Sequence, residues 1–168
     1  VTLVNASVSV EPPMFVDVVN VTSAADMADV VKSKAAEQDI IIMTAAVADF
    51  CPSHPADEKI KKNDSSYESV IELERTEDIL SYLGEHKAKG QLICGFSMET
   101  QNMLENSKAK LAKKNADMIV ANNLKVAGAG FGTDTNVVTL ITADDCTELE
   151  IMDKSCVAAR IMDRLLKM

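Results

Sequence analysis

Aromatic residues are scarce in this sequence, at 4%. Histidine occurs twice, as His54 and His86, and the four cysteines, Cys51, Cys94, Cys146 and Cys156, form no C-x-x-C pair. Zinc sites are built from closely spaced Cys and His, so this pattern argues against one. No Ser/His/Asp grouping stands out, and no cysteine has an evident histidine partner, which argues against a covalent protein nucleophile. No apolar stretch reaches the roughly 20 residues that a membrane-spanning helix needs, and the opening residues do not read as a signal peptide. Repeats and low-complexity tracts are missing as well. Positive charge is in deficit: 17 Lys and Arg stand against 26 Asp and Glu, a net charge of −9. A general nucleic-acid binder presents a basic face to phosphates, so the charge argues against that class. A small anionic ligand stays compatible where lysines gather locally.

What is present is an ordinary globular composition. The 168 residues are 47% hydrophobic and 26% charged, and one domain is the default at this length. Such a chain buries roughly 70% of the surface its unfolded form exposes, without a disulfide or metal. Isolated thiols suit a reducing compartment, so a cytoplasmic location is expected. The first residue is not Met and the chain opens directly in Val1-Thr2-Leu3-Val4. A fragment that begins inside a larger domain is expected.

Strand and helix signals alternate. Val1–Val4 reads as a buried strand, Pro12-Pro13 as a loop, and Phe15–Val21 as an alternating strand. Ser23 is a candidate N-cap with Asp26 in the first turn, and Met27, Val30, Val31 and Ala35 recur at helical spacing up to about Gln38. Ile40–Met43 is continuously apolar, as expected of a central parallel strand covered on both faces. The polar, proline-bearing segment from Pro52 onward reads as an excursion, with Lys59-Ile60-Lys61 and Ser69–Leu73 as short strands of an arm over about 52–73. A helix follows from about Asp78 to Lys87, then a strand Leu92–Phe96, a helix from about Thr100 to Asn115, a strand Met118–Ala121 and a glycine-containing loop Asn122–Asn136. Val137–Thr142 and Glu148–Met152 read as a terminal strand pair, and a helix from about Ser155 to Met168 closes the chain. This order predicts an α/β, Rossmann-like, doubly wound and mostly parallel sheet with helices on both faces and a small arm.

In such sheets ligands lie beyond the carboxyl ends of the strands. The run "IIIMTAAVADF" (40–50) ends there, and its alanines leave room for a flat group against the main chain. Asp49 is placed to accept hydrogen bonds from a base amine or a ribose; the plain alternative is a helix-capping aspartate. Lys59-Ile60-Lys61-Lys62 is a basic cluster in an acidic chain. Lys59 and Lys61 share one side of a strand, as point charges for phosphate or as lysines blunting a solvated edge. Lys110 and Lys114 share a helix face beside Lys113, as a polyphosphate clamp or a solvated surface. Phe96, after Gly95, is a stacking platform or a core residue. Gly128-Ala129-Gly130-Phe131-Gly132 suggests a dinucleotide fingerprint but leads into a strand, not a helix N-terminus, and so reads as a turn-rich loop.

Six segments fall in one order: "AAVADF" (45–50), "EKIKK" (58–62), "EDIL" (77–80), "GFSMET" (95–100), "AKLAKKNADMIVANN" (109–123) and "GFGTDTN" (130–136). Together they resemble the phosphopantothenoylcysteine synthetase (phosphopantothenate–cysteine ligase) family over nearly the whole chain. In bacteria this is commonly the C-terminal half of a bifunctional coenzyme A biosynthesis protein, and "EKIKK" and "KNADMIVANN" resemble its CTP-using branch. The resemblance implies that 4'-phosphopantothenate attacks the α-phosphate of CTP. That step releases pyrophosphate, and the amine of L-cysteine then attacks the acyl-cytidylate and releases CMP, with Mg²⁺ as cofactor. By motif, Met43, Thr44, Ala45 and Asp49 match the nucleotide-contacting strand end. Ala45 and Lys59 match catalytic positions that handle the intermediate. Glu77, Asp78, Ile79 and Leu80 match a segment near the phosphates, and Phe96, Lys110 and Lys114 match further nucleotide contacts. The resemblance further implies a homodimer through the arm and a fused or associated flavin-dependent phosphopantothenoylcysteine decarboxylase. It implies no nucleic-acid or membrane partner. Thr76-Glu77 stand where the family has Asn-Pro, Ser97-Met98 where small residues are commoner, and the family's opening "SSGxMG"-like loop with its catalytic asparagine does not precede Val1. Two other readings stay open: a non-catalytic nucleotide-binding or dimerisation fragment, and an NAD(P)-dependent oxidoreductase.

Overall fold

A computed structural model describes residues 1–6, 8, 10–56, 58–59, 70–98, 102–123, 126, 130 and 132–168. The elements in chain order are β1 (Thr2–Ala6), β2 (Asp17–Val21), α1 (Ala24–Ala35), β3 (Ile40–Met43), β4 (Phe50–Pro52), β5 (Leu73–Arg75), α2 (Ile79–Glu85), β6 (Leu92–Met98), α3 (Met103–Lys113), β7 (Met118–Asn122), β8 (Thr135–Asn136), β9 (Val138–Ile141), β10 (Cys146–Glu148), β11 (Met152–Asp153) and α4 (Lys154–Leu165). They fall into two compact units. The first holds Val1–Val31 and Ala45–Asp78, the second Lys32–Thr44 and Ile79–Met168.

In the first unit β1 and β2 pair in parallel, Thr2 opposite Asp17 through Ala6 opposite Val21. The start of α1 is closed by reciprocal bonds: the Asp26 amide donates to Ser23 Oγ at 3.1 Å and the Ser23 amide to Asp26 Oδ2 at 3.0 Å. This capping box satisfies donors that the first helical turn leaves without partners, as the Ser23/Asp26 spacing predicts. The hydroxyl and amide of Thr22 also donate to Asp26. Together these donors hold its carboxyl below the usual carboxylate range. The arm differs from the sequence expectation. Its paired strands are β4 and β5, antiparallel with Phe50 opposite Arg75 and Pro52 opposite Leu73. Lys59 and Val70–Glu72 lie in no strand, and β5 begins only at Leu73. Pro52, which cannot donate to a ladder, ends β4. Residues 60–69, including Lys61 and Lys62, lie outside the described residues.

The second unit is built on a five-stranded sheet in the order β10-β9-β7-β6-β3. β3, β6 and β7 run parallel, and β9 and β10 add antiparallel at the other side. β3 is therefore the last strand of its sheet, not a central one. One face is covered by α4: Val157, Ile161 and Leu165 form a single buried cluster with Cys94, Met118, Val120, Val138 and Leu140. Alternation along the strands turns Gly95, Ser97 and Ile119 to the opposite face, where α2 and α3 lie. A Cβ at Gly95 would approach Leu80 Cδ2 of α2 to 2.7 Å. Ser97 Oγ lies 2.7 Å from Ser107 Oγ of α3, and both residues are buried. The α/β fold with a parallel core and helices on both faces is as the sequence order predicts.

Two polar side chains fasten the end of this sheet that carries the strand starts. Gln91, which is buried, donates from Nε2 to the carbonyls of Ala35 and Gln38 at 2.7 and 2.6 Å. Asp117 accepts from the Ile93 amide at 2.7 Å and from Lys87 Nζ at 2.5 Å.

The serine pair gives a stability test. Replacing Ser107 by alanine leaves the Ser97 hydroxyl buried without its partner, an outcome that costs about 1–3 kcal/mol. We expect Ser107→Ala to lower the urea midpoint by that equivalent and the Ser97→Ala/Ser107→Ala double variant to recover part of the loss. Equal melts for the native chain and Ser107→Ala would show that the pair carries no weight.

Candidate active site

Parallel register sets the end of β3 beside the middle of β6, which runs on to Met98. Met43 stands opposite Gly95 and Gly95 opposite Ile119. Thr44 follows Met43 as an exposed residue outside any strand. Because Gly95 has no side chain, Leu80 of α2 closes on β6 at this level. Ile79, beside it, is buried.

Two lysines of α3 reach the same region. Four-residue spacing puts Lys110 and Lys114 on one helix face, and both are half-buried, whereas Lys113 is exposed. Lys110 Nζ donates to the Phe96 carbonyl at 2.8 Å. Lys114 Nζ donates to Ser81 Oγ of α2 at 2.9 Å. The frame behind them is tight: Asn115 Nδ2 donates to the Gly84 carbonyl at 2.8 Å, and a Cβ at Gly84 would fall 1.9 Å from the Lys114 carbonyl oxygen. The structure thus brings together Met43, Leu80, Phe96, Lys110 and Lys114. Phe96 takes part through its backbone, because its ring packs against the apolar cluster on the α4 face. Of the two readings open for it in sequence, core packing is the one its ring follows.

Ala45, Asp49, Lys59, Glu77 and Asp78 belong to the other unit. Ala45 to Ala48 have no regular structure, and Ala45 and Asp49 are exposed. Asp49 does not cap a helix, since the chain passes from it into β4. Its carbonyl accepts from the Thr76 amide at 3.0 Å, and the Thr76 hydroxyl donates to the Ala48 carbonyl. Thr76 therefore ties the segment before Glu77 to the alanine-rich segment. Lys59 is exposed. In the glycine loop, Gly128, Ala129 and Phe131 lie outside the described residues. Gly130 and Gly132 take positive φ values of 108° and 69°, in a turn closed by the Gly130 amide donating to the Thr135 carbonyl.

Sequence reading missed Ser81, Asp117, Gln91 and Ser107. Their partners lie 10 to 56 residues away in sequence, and no local period signals such pairs. Cys94 is buried, and desolvation with the nearby Asp117 charge pushes its thiol up to about 12. Among the described residues no group of three or more His, Cys, Asp or Glu is arranged to hold a metal, and no helix is long and apolar enough to cross a membrane.

Comparison with known proteins gives one consistent result. The family model described as DNA/pantothenate metabolism flavoprotein C-terminal domain matches residues 1–168. The coenzyme A biosynthesis bifunctional protein CoaBC of Bacillus subtilis (strain 168) is 46% identical over 167 residues, 98% of this chain and 40% of that protein. A cysteine/cysteine sulfinic acid decarboxylase from an unknown prokaryotic organism is 44% identical over 99% of this chain and 46% of its own length. The chain thus spans less than half the length of these relatives. A crystal structure of the C-terminal domain of CoaBC is 41% identical, with a TM-score of 0.80, covering 99% of this chain and 75% of that one.

The burial of Cys94 is checked by alkylation. At pH 8 we expect iodoacetamide to label the exposed Cys146 and Cys156 in the native chain, and Cys94 only after denaturation, read by peptide mass. Rapid native labelling of Cys94 would contradict its raised pKa.

Proposed function

This chain belongs to the DNA/pantothenate metabolism flavoprotein C-terminal domain family, and from that premise we propose that it performs a ligase step of coenzyme A biosynthesis. The reaction joins 4'-phosphopantothenate to L-cysteine through an acyl-cytidylate, with CTP cleaved to CMP and pyrophosphate. The observation that carries this reading is the pair of half-buried lysines, Lys110 and Lys114, held on Phe96 and Ser81 in a chain of net charge −9. An acidic protein repels a nucleoside triphosphate unless cations are fixed where the phosphates lie.

The chemistry asks for little else. A carboxylate is a poor acyl donor until it carries a good leaving group. Transfer of a nucleotidyl group needs alignment and neutralised charge more than a covalent partner. In this reading Met43, Thr44, Ala45 and Asp49 contact the nucleoside. Glu77, Asp78, Ile79 and Leu80 lie along the phosphates, and Phe96 anchors Lys110. Ala45 and Lys59 act on the acyl-cytidylate. In this reading Mg²⁺ enters as the counter-ion of the triphosphate. A fused or associated flavin-dependent decarboxylase is the proposed partner, in keeping with the bifunctional relatives.

The arm supports a homodimer. Val70 and Ile71 are 84% and 73% exposed, and Phe50 and Leu73 on the paired strands are also exposed. So many apolar side chains on one small hairpin mark an interaction surface.

Two outcomes are expected of the protein as its gene encodes it. Given 4'-phosphopantothenate, CTP, Mg²⁺ and cysteine, it releases CMP and pyrophosphate. Lys59→Gln accumulates the acyl-cytidylate or lowers turnover by a factor on the order of 10²–10³, as loss of a charge-stabilising group does. No CMP would end the ligase reading, and CTP binding without CMP would favour a non-catalytic nucleotide module. Separately, Ile71→Asp is expected to shift the chain from dimer to monomer in sedimentation, and an unchanged sedimentation coefficient would remove the arm from the interface.

A further inference from the structure

We infer that Ser81 is a positioning residue for the nucleotide's negative tail, acting through Lys114. The inference rests on the nucleotide reading above and adds to it a residue that no motif singles out. A lysine ammonium is a point charge on a flexible stem. The field it offers an anion depends on where the stem is held. Lys114 sits at the C-cap of α3, its amide donating to the Lys110 carbonyl at 2.9 Å. Its ammonium then crosses to α2 and donates to Ser81 Oγ, 33 residues away in sequence, at 2.9 Å.

Both ends of that bond are held where α2 packs closely on the end of α3. The Gly84 carbonyl accepts from Asn115, and the absence of a side chain at Gly84 lets α2 touch the Lys114 carbonyl. Ser81 lies three residues before Gly84 on the same helix, so its hydroxyl is presented to Lys114 at a distance set by main chain. The contrast with Lys110 is informative. Lys110 is anchored on a carbonyl, at Phe96, which any residue at that position supplies. Lys114 is anchored on a hydroxyl, which a single substitution removes. Ser81 is therefore a side chain through which the position of the Lys114 ammonium is set.

The test uses Ser81→Ala, Ser81→Thr and Lys114→Ala in the protein as its gene encodes it, with CTP binding by calorimetry beside steady-state kinetics. For Ser81→Ala we expect Kd and KM for CTP to rise roughly 3–10-fold, a modest coupling for residues in contact, while kcat and the thermal midpoint stay close to those of the native protein. Ser81→Thr, which keeps the hydroxyl, restores CTP affinity. In the Lys114→Ala background Ser81→Ala adds nothing. The inference is overturned if Ser81→Ala binds CTP as tightly as the native protein, if it weakens binding equally in both backgrounds, or if threonine does not restore affinity. A native protein that shows no CTP binding at all would sink the nucleotide reading and this inference with it. Native binding that Ser81→Ala leaves unaltered would sink this inference alone.

Discussion

A methyl group at Gly84 would stand 1.9 Å from the carbonyl oxygen of Lys114, and one at Gly95 would stand 2.7 Å from Leu80 Cδ2. These two close approaches define how α2 lies against β6 and the end of α3. The rest of the candidate site in the second unit depends on them. With α2 seated this closely, Ser81 comes within reach of the Lys114 ammonium and Asn115 within reach of the Gly84 carbonyl. On the same face the buried Ser97 and Ser107 hydroxyls satisfy each other, so α3 is fixed to β6 by a polar contact with no unpaired group left behind.

Charge explains why such a frame matters. With nine more acidic than basic side chains, the chain's overall field opposes an anionic ligand, and only cations fixed in place reverse that locally. Lysines loose on a surface are screened by salt and solvent. Lys110 and Lys114 are half-buried and bonded to the protein, which fixes their charges in place. Lys87 is engaged differently: it is bonded to Asp117, which also holds the Ile93 amide, and so serves the sheet.

The first unit shows another division of labour. Its alanine-rich segment is not shaped into a strand or helix but is tied by Thr76 through two bonds to the carbonyls of Ala48 and Asp49. The β4–β5 pairing then leads into the arm, where Val70, Ile71 and Leu73 are exposed. A short backbone tie thus links the segment that holds Asp49 to the start of the apolar hairpin.

Much of this was legible in the sequence because it is local. Ile40–Met43 appears as a strand with the bounds its apolar run predicts, the Ser23/Asp26 box closes α1 as its spacing predicts, and the alternation of strand and helix signals leads to the α/β fold found. The ordered motifs pointed to the family. What sequence left open depended on contacts between distant segments. Periodicity places Lys110 and Lys114 on one face but does not say that one reaches Phe96 and the other Ser81. An apolar run does not distinguish a central strand from the last strand of a sheet, so β3 was misplaced. An aromatic at a strand end does not reveal which face it turns to, and the ring of Phe96 turns to the α4 core. The physical reason is range: hydrophobic period and capping act within a few residues, whereas the approach of α2 to α3, permitted by one missing side chain at Gly84, exists only once the sheet has brought them together.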